Sequence, residues 1–241
     1  MDTRVFPDLE ALSRGALDEL LRTMGDAVRE RGRFTIALAG GRTPAKLYEL
    51  WVQAEARGAR TPWDSVHLFW GDERFVPHDD LLSNYRMARE ALIAHVPIPA
   101  ANVHPMPGSK QFATPEEAAE AYESDLRKFF GSAAPVFDLQ LLGLGVEGHT
   151  ASLFPGSPAL EEKKRWVAAV EAPAKPSQRL TLTPVVLNQG RNTFFLVSGR
   201  DKKEIIGALR SEPDSRPSQY PAGRIKPAGR VTWFLDEAAR G

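Results

Sequence analysis

The chain has 241 residues, of which 42% are hydrophobic and 26% charged, a composition typical of a soluble globular enzyme with one sizeable core. Lysine and arginine together number 31, as do aspartate and glutamate, so no net field would recruit nucleic acid or an anionic membrane, and any anion site has to be local. The chain has no cysteine, which excludes disulfides, thiolate metal sites and cysteine nucleophiles.

The N-terminal segment, MDTRVFPDLEALSRG, lacks the apolar core of a signal peptide, and no later apolar run reaches the roughly 18 residues of a membrane span. We therefore expect a cytoplasmic protein with one domain over residues 1–241. Apolar residues recur at helical spacing over residues 9–31, and Gly32 ends the pattern. This segment is predicted to be a covering helix.

A strand-to-helix junction follows. Residues 34–40 (FTIALAG) predict a buried strand, and helical periodicity begins a few residues later. Between them Gly40 and Gly41 permit a tight turn, Thr43 is a plausible N-cap and Pro44 suits the first helical position. A helix start of this kind binds phosphate through its free N–H groups and its dipole, although a capped turn without a ligand fits the same residues.

Residues 65–71 (SVHLFWG) predict a second buried strand, and three charged residues, Asp72, Glu73 and Arg74, follow its end. A carboxylate beside a guanidinium at such a place is either a structural ion pair or part of a site. Helices are predicted over residues 83–95 and 115–130, separated by a proline-rich connection. Four histidines without catalytic neighbours in the sequence are expected on the surface or in the core: His67, His78, His95 and His104.

The central stretch of the chain is GLGVEGHTASLFP, residues 143–155, which follows a predicted buried strand over residues 136–142. Ligands bind outside the carboxyl ends of strands in open α/β sheets, so His149 is placed to act on a substrate as a general base. Gly143, Gly145 and Gly148 also match a dinucleotide-binding fingerprint. That match is weak, because the fingerprint needs a long helix from the third glycine and the prolines that follow interrupt the chain.

In the last third of the chain, strands are predicted over residues 165–173, 179–183, 194–199 and 230–236, with a short helix after the second. The helix after the third strand has Lys202 and Lys203 in its first turn. Because the helix dipole disfavours cations there, an anion opposite one of them would explain its position, although both lysines pointing into water is an equally good reading.

Strands that alternate with helices predict an α/β fold: a Rossmann-like, doubly wound, mostly parallel sheet with helices on both faces. Parallel strands would bring four strand ends to one edge, at Gly40, Asp72, His149 and Lys202. The crevice there would hold a phosphate at one end and a histidine with a carboxylate and an arginine at the other. This arrangement indicates a small phosphorylated substrate.

The chain resembles the 6-phosphogluconolactonases, within the wider superfamily that includes glucosamine-6-phosphate isomerases/deaminases, in motifs that span almost its whole length in order. The motifs are GLGVEGHTASLFPG, LAGGRTP, FWGDERFVP, SNY at residues 83–85, RLTLTP, VSGRDKK and VTWFLDEAA. The resemblance implies a carboxylic ester hydrolase that converts 6-phospho-D-glucono-1,5-lactone to 6-phospho-D-gluconate in the oxidative pentose phosphate pathway. We expect a monomer that needs no cofactor or metal and binds neither nucleic acid nor membranes.

The resemblance also implies residue roles. His149 matches the general base that deprotonates the attacking water and returns the proton to the departing ring oxygen. Asp72 and Arg74 match the paired charges that orient the sugar and the water, and Arg74 would stabilise the developing oxyanion. The phosphate would lie against residues from three segments: Gly40, Gly41, Arg42, Thr43, Arg179 and Lys202. Lys202 is preferred to its neighbour because it has the family spacing from Gly199.

The sequence departs from the family pattern at two positions. Glu147, before Gly148 and His149, stands where aspartate is usual, so a contact that depends on the shorter side chain is in question. Arg42 stands where a small hydroxyl residue is common, so a hydroxyl contact to phosphate is lost, and a guanidinium either replaces it or points into solvent.

Two alternative functions remain. A glucosamine-6-phosphate isomerase/deaminase would use the same phosphate pocket, but that form resembles I-A-F-N-E after the histidine, and TASLFPG here supplies no such acid. A non-catalytic sugar-phosphate-binding domain would normally be joined to a DNA-binding segment, and neither end of this chain has a basic stretch or a spare helix-turn-helix.

Overall fold

The computed structural model describes residues 2–212 and 218–241. In chain order its strands are β1 (Asp2–Phe6), β2 (Phe34–Leu38), β3 (Val66–Trp70), β4 (Asp72–Arg74), β5 (Leu139–Leu142), β6 (Val167–Glu171), β7 (Gln178–Leu182), β8 (Asn192–Val197) and β9 (Arg230–Asp236). Six of these strands form a parallel sheet in the order β1-β9-β8-β5-β2-β3. The other three form a small antiparallel sheet in the order β4-β7-β6.

The α-helices of the described residues are α1 (Leu9–Arg31), α2 (Arg42–Ala56), α3 (Asn84–Ala91), α4 (Pro115–Phe130), α5 (Pro184–Leu187), α6 (Lys203–Ser211) and α7 (Glu237–Arg240). Short 3₁₀ turns lie at Trp63–Ser65, Ile93–His95, Ala100–Asn102, Pro158–Glu161, Arg200–Lys202 and Pro221–Arg224. Within the same residues, no helix is both long enough and apolar enough to cross a membrane.

Helices cover both faces of the six-stranded sheet. On one face the ring of Phe234 in β9 lies 6.1 Å from that of Phe6, and α1 packs so closely there that a Cβ at position 15 would lie 2.5 Å from the Phe6 ring. On the opposite face Phe69 of β3 contacts Phe129 of α4, with ring centroids 5.1 Å apart. This arrangement confirms the predicted Rossmann-like α/β class.

The strand order reverses between β2 and β5. From β2 the chain adds β3 on one side, and it then returns to place β5, β8 and β9 on the other side. The connections that leave β2 and β5 therefore diverge at their carboxyl ends and leave a crevice there. The glycine turn after β2 and the His149 loop after β5 border this crevice.

Several boundaries differ from the sequence prediction. Helix α2 begins at Arg42 with Gly41 as its N-cap, so the predictions of Thr43 as the N-cap and Pro44 as the first helical residue are wrong. Gly41 has a φ of 101°, a conformation open mainly to glycine, and this lets the chain enter the helix earlier than the Thr-Pro signal indicates.

The predicted proline-rich connection contains a single bridge, between Val103 and Leu68 of β3. The predicted helix over residues 83–95 is α3 followed by a separate 3₁₀ turn. Two strands of the last third, β6 and β7, join β4 rather than the main sheet, and the sequence analysis missed β1 altogether. β1 is only five residues long and has three polar residues followed by two apolar ones, which is not the alternation of a half-buried strand, so its pairing with β9 is what defines it as a strand.

Candidate active site

A cavity of about 360 Å³ lies at the carboxyl edge of the sheet, a volume suited to a small metabolite. Seven of the predicted site residues line it: Gly40, Asp72, Arg74, Glu147, His149, Arg179 and Lys202. Gly41, Arg42 and Thr43 lie beside it at the start of α2 and are not among its lining residues. Gly148 is buried, with Tyr220 packed where a Cβ would be.

His149 is held by an acid and an aromatic ring. Its Nδ1 lies 2.9 Å from Glu147 Oε1, and its ring centroid lies 4.6 Å from that of Phe154. A carboxylate can only accept, so in the neutral imidazole this contact places the proton on Nδ1 and leaves Nε2 as an acceptor. Gly145 makes the arrangement possible, because a Cβ there would overlap Nδ1.

The His149 loop folds as successive turns. Gly148 has a φ of 85°, and its N–H donates to the carbonyl of Gly145 at 3.0 Å. A second turn is closed by the Leu153 N–H and the Thr150 carbonyl at 2.9 Å. The described chain has no helix beginning at Gly148, so the structural context that the dinucleotide fingerprint requires is missing.

The three charges after β3 lie on two sides of the backbone. Asp72 and Arg74 line the cavity, while Glu73 between them points the other way, as strand alternation requires, and is 1% exposed. Burial raises the pKa of Glu73 to about 7, although the backbone N–H groups that donate to its carboxylate act to lower the pKa. Its partners hold the start of α3 in place: Ser83 Oγ, Asn84 N and Tyr85 N.

Asp72 and Arg74 do not pair with each other in the described residues. Asp72 Oδ2 accepts a hydrogen bond from Ser152 Oγ at 2.7 Å, and its other oxygen faces the Asn84 amide at 3.3 Å. Arg74 Nη1 donates to the carbonyl of Leu82 at 2.7 Å, and its buried Nε has no partner within residues 2–212 and 218–241. The structural ion pair considered from the sequence is therefore wrong, and both groups remain available to a ligand.

Cationic side chains surround the rest of the cavity. Arg179 lies directly across the antiparallel ladder from Arg74, and burial together with that neighbouring guanidinium lowers its pKa. Its Nε donates to the Pro176 carbonyl at 2.8 Å, and no carboxylate in the described part of the chain pairs with either arginine. Like charges placed together are costly unless an anion lies between them, so the wall is suited to a phosphate.

Lys202 adds a further cation at the end of β8. Its Nζ lies 3.0 Å from Asp201 Oδ2, and its side chain is 20% exposed, against 56% for Asp201. The hydrogen bond from Lys202, and to a smaller extent the charge of Arg42, lowers the pKa of Asp201. The Arg42 side chain is exposed.

Two kinds of site residue were not predicted from the sequence. Asn84 and Ser152 both donate to Asp72; each lay in a recognised motif, SNY or GHTAS, but neither was assigned a role. Residues 172–174 after β6 also line the cavity, and their composition carries no signal of it. The four other histidines lie elsewhere, as predicted, bonded to each other or to backbone carbonyls: His67, His78, His95 and His104.

Comparison with known proteins places this geometry in a family. Residues 7–233 match the family model described as glucosamine-6-phosphate isomerases/6-phosphogluconolactonase. The chain is 48% identical over 216 residues to a 6-phosphogluconolactonase of Synechocystis, covering 88% of this chain and 86% of the relative. It is 40% identical over 238 residues to one from Nostoc, covering 98% and 95%.

A solved structure of similar fold is the 6-phosphogluconolactonase from Trypanosoma cruzi, with a TM-score of 0.85, 31% identity, and coverage of 99% of this chain and 95% of the other. The matched region contains both the cavity and the His149 loop, and it extends over almost the whole chain. This chain therefore belongs to the glucosamine-6-phosphate isomerase/6-phosphogluconolactonase family.

Proposed function

We propose that this chain is a carboxylic ester hydrolase that converts 6-phospho-D-glucono-1,5-lactone into 6-phospho-D-gluconate. The observation that carries the proposal is a single cavity with His149, supported by Glu147, on one wall and two arginines on another. Neither Arg74 nor Arg179 has a carboxylate partner among the described residues. The relatives named as 6-phosphogluconolactonases support the lactone as the substrate.

His149 acts as the general base in this proposal. With Nδ1 donating to Glu147, Nε2 takes a proton from a water molecule, whose oxygen attacks the lactone carbonyl carbon. The tetrahedral intermediate then collapses, the bond between that carbon and the ring oxygen breaks, and the imidazolium returns its proton to the ring oxygen. The glutamate stabilises the transient positive charge on the imidazole.

The two charges after β3 act on the reacting end of the substrate. Asp72 accepts hydrogen bonds from the sugar or the water and so orients them, while the guanidinium of Arg74, which also lines the cavity, stabilises the oxyanion. The phosphate lies between Arg179, Lys202 and the first turn of α2, where free N–H groups of Arg42 and Thr43 are available.

The test is hydrolysis of freshly generated 6-phosphogluconolactone, coupled to 6-phosphogluconate dehydrogenase and corrected for the uncatalysed rate. We expect His149→Ala to lower kcat by about 10²-fold or more, the usual contribution of a general base. Glu147→Gln keeps the side-chain shape but removes the charge, and a loss of about 10-fold is expected.

His95→Ala is the matched control, because His95 lies outside the cavity and its ring contacts a backbone carbonyl, that of Glu90, at 2.9 Å. Its kcat should equal that of the wild type. Consumption of glucosamine 6-phosphate instead of the lactone would move the function to the isomerase/deaminase side, and binding without turnover of either compound would favour a sugar-phosphate-binding domain.

A further inference from the structure

The buried hydroxyl group of Ser152 connects two segments of the candidate active site, the His149 loop and β4. Ser152 lies in the same loop as His149, is fully buried, and donates from Oγ to Asp72 Oδ2 at 2.7 Å. Asp72 belongs to a different segment, as the first residue of β4. Ser152 thereby fixes the position of the substrate-orienting carboxylate relative to the loop that carries the proposed base.

The local backbone is shaped to place this hydroxyl. Ala151 has a φ of 48°, a left-handed conformation that is unfavourable for alanine. The Ser152 N–H then donates to Thr181 Oγ1 at 3.2 Å, and Thr181 stands directly opposite Asp72 in the β4–β7 ladder. Both polar groups of Ser152 are therefore tied to the small antiparallel sheet.

A second donor holds Asp72 from the other side. Asn84 Nδ2 lies 2.9 Å from the Asp72 backbone carbonyl and 3.3 Å from its Oδ1. Because both partners are acceptors, the amide orientation is settled and Asn84 Oδ1 points away. That oxygen is buried and has no partner in the described part of the chain, and it occupies the space where a Cβ of residue 40 would lie, so Gly40 is required for this contact.

An unpaired buried acceptor costs free energy. The two hydrogen bonds that the Asn84 amide donates to Asp72 offset this cost. We propose that Ser152 and Asn84 are positioning residues that act through Asp72, each holding one carboxylate oxygen so that the remaining lone pairs face the substrate. The proposal rests on the proposed lactone hydrolysis, in which Asp72 orients the sugar or the water. Neither residue is asked to touch the substrate.

A double-mutant cycle tests this role. Ser152→Ala, Asp72→Asn and the double variant are compared with the wild type in the lactone assay, with kcat and KM measured separately. We expect Ser152→Ala to lower kcat by about 10-fold or more, the effect of losing a hydrogen bond to a charged group, and to change KM much less. In the Asp72→Asn background the same substitution should lower kcat by less than about twofold.

A full loss of kcat in both backgrounds would show that Ser152 supports the loop independently of Asp72, and an unchanged kcat for Ser152→Ala would also overturn the proposal. Ser13→Ala is the matched control, since Ser13 is equally buried, in α1, outside the cavity. Its kcat should equal that of the wild type. If Ser152→Ala does not fold, Asn84→Ala in the same cycle with Asp72→Asn gives the answer.

An error in the proposed function gives a different experimental result from an error in the positioning role. If the wild type does not exceed the uncatalysed rate, the lactonase proposal is wrong, and crystal structures of the wild type and Ser152→Ala then decide the positioning role. A turned Asp72 carboxylate in the variant supports that role, whereas an unchanged carboxylate refutes it.

Discussion

At the scale of single residues, the structure shows that Glu147 contacts His149 although its side chain is longer than that of aspartate. The family usually has the shorter aspartate there, yet the longer side chain reaches His149 Nδ1 at 2.9 Å. The contact fits because Gly145 leaves space beside the imidazole. The substitution therefore keeps an acid in contact with the proposed base.

The two neighbouring lysines give a residue-scale prediction. Lys202 lines the cavity, whereas Lys203, the first residue of α6, is exposed. Lys202→Ala should raise KM for the lactone by about 10- to 100-fold, because a charge-assisted bond to phosphate is lost, and should change kcat little. Lys203→Ala should leave both constants unchanged. Steady-state kinetics at one ionic strength measure this, and equal effects of the two substitutions would refute the assignment.

At the scale of elements, β3 carries a paired-histidine cluster on the face opposite α1. His67 Nδ1 lies 3.3 Å from His104 Nε2, and the His104 ring stacks on Phe69 with centroids 4.3 Å apart. Burial, reinforced by the neighbouring His67, lowers the pKa of His104 from 6.5 to about 4. Burial also lowers the pKa of His67. These histidines thus belong to the packing of the sheet and are held neutral.

This cluster predicts an acid-dependent loss of stability. Between pH 6.5 and about 4 the unfolded chain binds a proton at His104 that the folded chain does not, so the free energy of unfolding falls as the pH falls. Allowing for partial exposure of the ring, the loss is about 1–2 kcal/mol. Urea unfolding of the wild type and His104→Phe at pH 7 and pH 4.5 measures it. An equal loss of stability in both proteins would contradict the assignment to His104.

At the scale of the whole molecule, the carboxylate of Glu19 in α1 binds arginines of β1 and β9. These are the first and last strands in chain order, and they are neighbours at one edge of the sheet. Glu19, whose side chain is 8% exposed, pairs with Arg4 of β1 at 2.7 Å, with Arg22 at 2.6 Å and with Arg230 of β9 at 3.1 Å. Burial opposes ionisation of Glu19, but the three arginines outweigh it and lower its pKa. Glu19 thereby links β1 and β9, although these strands lie near opposite ends of the sequence.

Glu19→Gln should lower the free energy of unfolding by about 1–3 kcal/mol, since the three arginines lose the charge of a buried acceptor. The kcat should stay at the wild-type value, because no residue of α1 lines the cavity. Urea unfolding and the lactone assay measure the two effects. Glu10→Gln is the control: its pair with Arg14 is exposed on both sides, and its unfolding midpoint should not change. A large loss of activity in Glu19→Gln would contradict this separation of stability from function.

The sequence by itself determined the α/β class, most helices and strands, the family and the set of side chains at the sheet edge. Local signals are strong there: α1 ends at Gly32 and α4 begins after Thr114, as periodicity and capping predict, and β9 has its predicted bounds. The convergence of Gly40, Asp72, His149 and Lys202 follows from parallel topology alone, because the carboxyl ends of parallel strands share one edge.

Only the tertiary structure decided how those side chains are held. Ser152 and Asp72 are 80 positions apart in the chain, and their hydrogen bond exists because β7 pairs with β4 in a sheet that no local pattern marks. The same long-range packing pairs Asp72 with Ser152 instead of Arg74, directs Glu73 to the start of α3 and leaves the arginines without carboxylate partners in the described residues. Residue type and spacing specify which groups reach the edge, whereas their partners depend on contacts between segments distant in the chain.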